Sequence, residues 1–263
     1  MIIDSPRQRA TAICKNNSIL FNHIEQALSI SRADIIEGFI LYNSEVEQLD
    51  NAVYDNLPVR VAMFMEYILP GSWHQDRQQI ISGWVNFYLP KSILDIGFGA
   101  PMKYCQDYVL QAKTDCQLVL ADKFESAFEF ADVILSFWDE TFKSKVQFRQ
   151  LDLKHIEYVG DYDVYIFQDS IEHAPEPSKY LKYQVERAPG HSKFLISIPI
   201  APLIPCHFIH WTKEQDALDW LFACGLQVEK LERVYVNPEI DTFASGLGDI
   251  YDIMVAASPL KNS

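Results

Sequence analysis

The chain has 263 residues, of which 49% are hydrophobic, and its 36 acidic residues against 22 Lys and Arg residues give a formal net charge of −14. This length and hydrophobic content suffice for one large core, so we expect a globular chain with one principal domain. The acidic balance, with no offsetting Lys/Arg cluster, argues against a nucleic-acid partner, and the apolar runs are too short to span a membrane.

Helical patterns occupy the first third of the chain. Apolar residues recur at one-turn spacing over four segments: Ser18–Leu28, Arg32–Val53, Pro58–Ile68 and Asp76–Tyr88. Ser31 precedes the second segment as an N-cap residue, and prolines separate the later ones. We expect residues 1–89 to form a helical cap that lies over the open end of a sheet as the lid of a substrate pocket, and residues 90–263 to form an α/β domain.

A glycine turn follows the first predicted strand. Apolar residues between Ile93 and Ile96 predict a buried strand, and the segment Asp95–Gly99 (Asp-Ile-Gly-Phe-Gly) carries the chain into the next helix. Glycine lets the backbone pass close to a ligand where a Cβ atom would collide, so the pattern is that of a nucleotide-binding βα turn. Met102 stands where a dinucleotide-binding turn has its third glycine, and Pro101 removes an N–H that a pyrophosphate would use.

The next two predicted strands also end in acidic residues. The apolar segment 116–122 ends at Asp122, about 20 residues after Gly99, which is the spacing of an acid that accepts hydrogen bonds from ribose hydroxyls. Asp122 also fits an N-cap, since Glu125 would complete a capping box for the following helix. The third strand, over 146–153, ends in Asp-Leu. Both acids are therefore candidates for ligand contacts.

The fourth predicted strand runs into a polar turn. An aromatic-rich strand over 162–167 is followed by Gln168 and Asp169 and then by Glu172-His173 in the run Glu-His-Ala-Pro-Glu-Pro. Ligands of open α/β sheets bind beyond the carboxyl ends of the strands, near the switch in strand order. We expect the strand-end side chains to converge there: Asp95, Asp122, Asp152 and Gln168. A histidine at a helix start often only caps or packs, so a structural role for His173 stays open.

The remaining pattern completes the sheet. Further strands are predicted at 193–199, 226–236 and 251–257. Between the first two, a loop with His207 and His210 leads to a helix that Thr212 and Gln215 open as a capping box and Gly225 ends. Strands alternating with helices predict a doubly wound, mostly parallel sheet of seven strands with helices on both faces, and the last pair predicts one antiparallel strand inserted at an edge.

Over about residues 80–258 these motifs resemble the class I S-adenosylmethionine-dependent methyltransferases, whose fold is the Rossmann-like sheet described above. Asp-Ile-Gly-Phe-Gly is similar to the first motif of that family, and the run from Glu172 to Pro177 is similar to the fourth motif of the small-molecule O-methyltransferases of ubiquinone biosynthesis. The resemblance implies S-adenosyl-L-methionine as cofactor and S-adenosyl-L-homocysteine as product.

The resemblance also implies roles for the strand-end residues. Asp95 would orient the methionine amino group of a cofactor lying over the glycine turn, Asp122 would bind its ribose, and Asp152 would lie beside its adenine amino group. Gln168 and Asp169 would face the methyl group. The implied cofactor-binding residues are Asp95, Gly97, Gly99, Asp122, Lys123, Asp152, Leu153, Gln168 and Asp169.

The implied reaction is transfer of the sulfonium methyl group to an oxygen or nitrogen of a small molecule or peptide, in natural-product biosynthesis. An alcohol, phenol or amine acceptor loses a proton, for which His173, His207 and His210 are the candidate bases with a pKa near neutrality; a carboxylate needs no base. His207 and His210 have a ligand-like spacing, but the acids near them in sequence complete no recognisable set, so we expect no metal.

Two other function classes stay open. An NAD-dependent oxidoreductase would need a catalytic Tyr-x-x-x-Lys after the fourth strand, but Gln184 stands where Tyr180 would require lysine. A non-catalytic protein of the same fold would have lost its cofactor contacts. The five cysteines form an odd set without Cys-x-x-Cys spacing or a secretory leader, which predicts reduced thiols and a cytoplasmic location. The oligomeric state stays open, a homodimer included.

Overall fold

The computed structural model describes residues 5–44, 51–110, 116–201, 207–236 and 250–260. Helices that precede the first strand are α1 (Pro6–Asn16), α2 (Ser18–Leu28), α3 (Arg32–Ser44), α4 (Leu57–Ile68) and α5 (Trp73–Tyr88). The strands are β1 (Ser92–Ile96), β2 (Gln117–Asp122), β3 (Val146–Gln150), β4 (Val164–Phe167), β5 (Lys193–Ile200), β6 (Leu226–Tyr235) and β7 (Tyr251–Pro259). Between them lie α6 (Lys103–Leu110), α7 (Glu125–Trp138), α8 (Pro177–Val185) and α9 (Glu214–Ala223). Short 3₁₀ turns occur at Asn51–Asp55, Phe142–Ser144 and Ile171–His173.

The strands form one sheet in the order β3-β2-β1-β4-β5-β7-β6. β1 to β5 pair in parallel, whereas β7 pairs antiparallel with both β5 and β6. The predicted seven-stranded, mostly parallel sheet with one inserted antiparallel strand is confirmed. The strand order switches between β1 and β4, which places a ligand site at the carboxyl ends of those two strands.

Alternating side chains of the strands pack against helices on opposite faces. Ile93 belongs to the buried cluster that includes residues of α5, α6 and α7, and its neighbour Leu94 belongs to the cluster that includes residues of α8 and α9. Successive strand residues point to opposite faces, so a continuous apolar run is what a sheet covered on both sides requires. A third cluster joins the helices α1 to α4 to α7.

The helical boundaries differ from the sequence-based ones in the first third of the chain. α1 was not predicted, because its buried face holds only Arg9, Ala10, Ile13 and Cys14 and so lacks a clear apolar stripe. The segment predicted as one helix over 32–53 contains α3 and the turn at 51–55, while 45–50 lie outside the described residues. The N-cap at Ser31 is confirmed, since its hydroxyl accepts a hydrogen bond from the Asp34 amide at 3.2 Å.

Two predicted capping boxes were wrong. Residue 124, not Asp122, caps α7, and it does so without a side-chain hydrogen bond; the Asp122 carboxylate binds an arginine instead, as described below. α9 likewise starts after Lys213 without a side-chain cap, so Thr212 and Gln215 form no capping box there. The predicted end of α9 is confirmed, because Gly225 adopts a left-handed φ of 89° directly after the Cys224 C-cap.

The sequence predicted that no segment spans a membrane, and the helices of the structure bear on this prediction. Over the described ranges, no helix combines the length and the apolar character needed to cross a membrane.

Candidate active site

A cavity lies at the carboxyl ends of the strands, between them and the N-terminal helices. It encloses about 1380 Å³ of empty space, counting its open mouth. The helices α3, α4 and α5 line one side with Tyr42, Asn43, Arg60, Met63, Glu66, Tyr67, Trp73, His74 and Arg77. The strand ends line the other with the predicted residues Gly97, Gly99, Asp122, Lys123, Asp152, Leu153, Gln168, Asp169, His173 and His207. The predicted residues Asp95 and His210 do not line it.

The glycine turn has the backbone that glycine favours. Gly97 and Gly99 adopt φ angles of 70° and 63°, in the left-handed region. A Cβ atom at Gly97 would lie 2.6 Å from the Cβ of Ser170, and one at Gly99 would lie 2.6 Å from the Cε of Met63. Both glycines line the cavity, but the space that a Cβ atom would need at each of them is occupied by a protein side chain.

Asp122, the predicted ribose ligand, is bound by an arginine that the sequence reasoning missed. Arg60 of α4 donates to Oδ2 and Oδ1 of Asp122 at 3.3 and 3.2 Å and to the Gly99 carbonyl at 3.0 Å, with only 2% of the arginine exposed. The amides of Gly99 and Phe124 donate to the same carboxylate. Because a carboxylate has about four acceptor positions, a ribose would have to share Asp122 with these donors or replace one.

The other two strand-end acids differ in environment. Asp152 accepts from the amide and the ammonium group of Lys154; burial alone would raise the pKa of Asp152, but these hydrogen bonds outweigh it and hold the pKa below its usual value. Asp95 is fully buried and accepts from the Tyr104 hydroxyl at 2.5 Å, while its Oδ1 has no hydrogen-bond partner in the described chain. Burial raises the pKa of Asp95 to about 7.

A second buried arginine organises the β4 end of the cavity. Arg77 of α5 forms ion pairs with Asp169 and, at 2.5 Å, with Asp252 of β7. Burial alone would lower the pKa of Arg77, but the two carboxylates outweigh it and raise that pKa. Asp169 has a left-handed φ of 46°, and it exchanges hydrogen bonds with the Ser197 hydroxyl. Burial raises the pKa of Asp252 against the opposing effect of Arg77.

The three predicted histidines form one cluster. The ring centroids of His173 and His207 lie 4.7 Å apart, and those of His207 and His210 lie 6.1 Å apart. The Phe208 amide donates to the Glu172 carbonyl at 2.8 Å and so ties the two segments together. Burial, followed by the neighbouring histidines, lowers the pKa of His207 to about 3. That value departs from the near-neutral pKa expected of a general base.

Several buried polar atoms beside the glycine turn have no hydrogen-bond partner within the described residues. They are both amide atoms of Gln168, the Ser170 hydroxyl and both carboxylate oxygens of Glu172. Burial, followed by repulsion from Asp169, raises the pKa of Glu172 well above its usual value. All three side chains line the cavity, and unsatisfied buried polar groups cost about 1–3 kcal/mol each. Such atoms fit a polar ligand. In addition, the donor atoms of Glu172, His173 and His207 lie within 4.8 Å of one another and could hold a metal ion.

Sequence reasoning missed Arg60, Arg77, Asp252 and Glu172 as members of the site. A signal was present for the two arginines: Arg60 stands four residues before Phe64 and Arg77 four residues after Trp73, on helix faces that are otherwise apolar. A charged residue at such a position is rarely buried without a partner.

Comparisons with known proteins agree on the fold. The chain matches the [4+2]-cyclase SpnF with a TM-score of 0.53 and 14% identity, over 73% of this chain and 84% of that one. It matches the mitomycin 7-O-methyltransferase MmcR with a TM-score of 0.54 and 14% identity, over 92% and 66%. It matches magnesium protoporphyrin IX methyltransferase of Synechocystis PCC 6803 with bound SAM, with a TM-score of 0.52 and 17% identity, over 86% and 97%. No family model and no curated protein matches the sequence.

These similarities establish the fold, whereas the reaction has to be inferred from the residues of the site. One of the three matched proteins is described as a cyclase and two as methyltransferases, so the same fold carries more than one chemistry.

Proposed function

We propose that this chain, which has the fold of the class I S-adenosylmethionine-dependent methyltransferases, moves a methyl group from S-adenosyl-L-methionine to an oxygen or nitrogen of a small molecule or peptide. One observation carries the proposal: the glycine turn, two strand-end acids and the unpartnered polar atoms of Gln168 and Ser170 all face one cavity at the switch in strand order. The solved structure of a protein of this fold with bound SAM supports the cofactor.

The residues present fit a nucleoside cofactor. Gly97 and Gly99, both at positive φ, line the cavity, and the Ser170 hydroxyl beside Gly97 has no hydrogen-bond partner among the described residues. Asp152 is ionised at neutral pH and partly exposed, so it can accept a hydrogen bond from an adenine amino group. Asp122 stands at the end of β2, where a ribose would be bound. Asp95, which does not line the cavity, would act on the turn through its neighbours.

When bound, S-adenosylmethionine supplies a methyl group on a sulfonium sulfur, which keeps the electrons of the broken C–S bond and leaves as S-adenosylhomocysteine. The protein aligns the acceptor and excludes water. The helices provide aromatic lining for an apolar or aromatic acceptor, with Tyr42, Tyr54, Tyr67 and Trp73. A hydroxyl or amine acceptor also releases a proton. His173 and His207 line the cavity whereas His210 does not, and because the pKa of His207 is lowered to about 3, His173 is the better candidate for receiving it.

The setting we propose is the biosynthesis of a natural product in the cytoplasm. The mitomycin enzyme of similar fold supports the first part. Among the described residues, Cys14, Cys105, Cys116 and Cys224 form no disulfide, which supports the second; Cys206 lies outside the described residues.

Calorimetric titration tests the proposed function. We expect the protein to bind one S-adenosylmethionine per chain and not to bind NAD. Gly99→Val should abolish this binding, because valine is strained at a φ of 63° and its Cβ would meet the Met63 side chain. Gly190→Ala is the matched control, because a Cβ at Gly190 meets nothing within 4 Å. Binding of NAD in place of S-adenosylmethionine, or unchanged binding by Gly99→Val, would refute the proposal.

A further inference from the structure

We propose that Glu172, His173 and His207 form a binding site for a divalent transition-metal ion on the wall of the cavity. The donor atoms of these three residues all lie within 4.8 Å of one another. A four-coordinate ion with bonds of about 2.1 Å holds its ligand atoms about 3.4 Å apart. Small side-chain rotations would therefore close the set around an ion.

The backbone holds the two ligand-bearing segments together. Glu172 and His173 are adjacent in the 3₁₀ turn at Ile171–His173, and His207 belongs to a distant loop. The Phe208 amide donates to the Glu172 carbonyl at 2.8 Å, directly beside two of the ligands. The His173 and His207 rings meet edge to face, with centroids 4.7 Å apart. These contacts hold the two ligand-bearing segments next to each other.

The burial of Glu172 is a second observation, independent of the spacing of the donor atoms, that points to a bound cation. Its side chain is 0% exposed, and neither carboxylate oxygen has a hydrogen-bond partner among the residues that the structure describes. Arg77, whose charge acts on Glu172, already pairs with Asp169 and Asp252. A buried carboxylate without a donor or a cation is costly. A metal ion would stabilise the ionised carboxylate and bind the oxygens that no group among the described residues uses.

The donor set indicates which class of ion fits. Two imidazoles and one carboxylate suit Zn²⁺, Mn²⁺, Fe²⁺ or Co²⁺, whereas Ca²⁺ and Mg²⁺ prefer ligand shells made of oxygen alone. Three protein ligands leave coordination positions open, and all three residues line the cavity. An open position is what an ion needs to bind a substrate atom directly.

The role of the ion rests on the proposed function. An ion here would bind the acceptor through a hydroxyl oxygen, which narrows the acceptor to a compound that offers an oxygen ligand. The bound hydroxyl would lose its proton to water more readily, and the resulting oxygen would attack the methyl carbon. His173 and His207 would then hold the ion rather than receive the proton.

Binding of Mn²⁺ to the chelator-treated protein, followed by electron paramagnetic resonance of the free ion, tests the site without any methyl acceptor. The measurement is made in 0.15 M salt to screen the acidic surface. We expect one tightly bound Mn²⁺ per wild-type chain. Glu172→Gln and His207→Gln should each weaken binding at least tenfold. Glu172→Gln keeps the shape of the side chain and introduces no buried charge, so it should fold.

His191→Gln is the control, because His191 is exposed and lies beside Asp163 at the opposite end of the strands. It should bind Mn²⁺ as the wild type does. The site is refuted if the wild type binds no more tightly than Glu172→Gln, or if His191→Gln loses as much affinity as the ligand variants. Calorimetry with S-adenosylmethionine on the same samples separates the two proposals: Mn²⁺ binding without cofactor binding keeps the site and rejects methyl transfer, and the converse rejects the site alone.

Discussion

Gln168 and Gln184 are both buried amides, but only one of them has its hydrogen bonds made within the described chain. Gln184 accepts from the Val159 amide at 3.2 Å and donates to the Glu157 carbonyl at 2.6 Å. Neither amide atom of Gln168, which lines the cavity, has a partner. A satisfied amide stabilises the fold, whereas an unsatisfied one costs free energy until a ligand pairs with it. The two residues are therefore expected to have different functions.

Replacing each amide by leucine of similar volume separates these functions. Gln168→Leu should leave the free energy of unfolding within about 1 kcal/mol of the wild type and weaken S-adenosylmethionine binding by about threefold to tenfold, the value of one lost hydrogen bond. Gln184→Leu should lower the free energy of unfolding by about 1–3 kcal/mol, because it leaves the buried Val159 amide and the part-buried Glu157 carbonyl without their partner, and leave the affinity unchanged. Urea denaturation and calorimetry measure the two quantities. Equal stability losses in both variants would show that Gln168 is structural.

The strand-end residues could be predicted from the sequence, but their partners could not. Parallel strands deliver their carboxyl ends to one edge, so Asp122, Asp152 and Gln168 could be assigned to one site from strand positions alone. Arg60 and Arg77 come from helices whose rotation about their own axes depends on tertiary packing, and no spacing rule connects them to the sheet. That is why the sequence left Asp122 free for a ribose, while the structure pairs it with Arg60.

Helix α4 lies beside the glycine turn and contacts it with two side chains. Arg60 and Met63 stand one turn apart on one face of α4. The first binds Asp122 and the Gly99 carbonyl, and the second fills the space beside the Gly99 Cα. The helix is therefore coupled to the ends of β1 and β2 through a buried ion pair and a hydrogen bond to the turn.

A double-mutant cycle measures this coupling. Arg60→Met and Asp122→Asn should each lower the free energy of unfolding of the cofactor-free protein, by about 3–5 kcal/mol if the pair behaves as a fully buried one, because each leaves a buried partner without its counterpart. The double variant should lose clearly less than the sum of the two. Urea denaturation of the four proteins gives the energies. Losses that add within about 0.5 kcal/mol would mean that α4 and the turn are stabilised independently.

At the level of elements, the sequence predicted the strands better than the helix starts. A strand buried on both faces is a short apolar run between polar turns, and β1, β2, β4 and β5 each have that form. A helix start depends on whether the capping side chain is free to bond the backbone. Asp122 had a stronger partner in Arg60, and α9 starts without any side-chain cap. Local signals fail where a tertiary ion pair competes for the same oxygen atoms.

Over the whole molecule, the cavity is shared between the N-terminal helices and the sheet. α3, α4 and α5 supply one wall and the strand ends supply the other. A ligand that contacts both walls would stabilise the helices against local opening, because the open form would lose the ligand's contacts with the helices.

Hydrogen exchange tests this sharing. Adding S-adenosylmethionine should slow exchange at least severalfold in α4 and α5 as well as in the turn after β1. Exchange in α9 and β6, which contribute no residue to the cavity, should change little and provides the internal control. Mass spectrometry of peptides before and after ligand addition reports both regions at once. Protection confined to the sheet would show that the helices do not close over the cofactor.

The insertion of β7 between β5 and β6 has a consequence for the order in which the chain assembles during synthesis. Asp252 lies 175 positions after its partner Arg77, and β6 pairs with β7 at the edge of the described sheet. On the ribosome, the helices and β1 to β5 emerge first, so β5 has an open edge and Arg77 lacks one of its two carboxylates until β7 arrives. An open edge on a nearly complete sheet invites pairing with other chains. The nascent chain is thus most vulnerable to aggregation after β5 has been synthesised and before β7 has. The arrival of β7 covers the open edge of β5 and supplies the second carboxylate that pairs with Arg77.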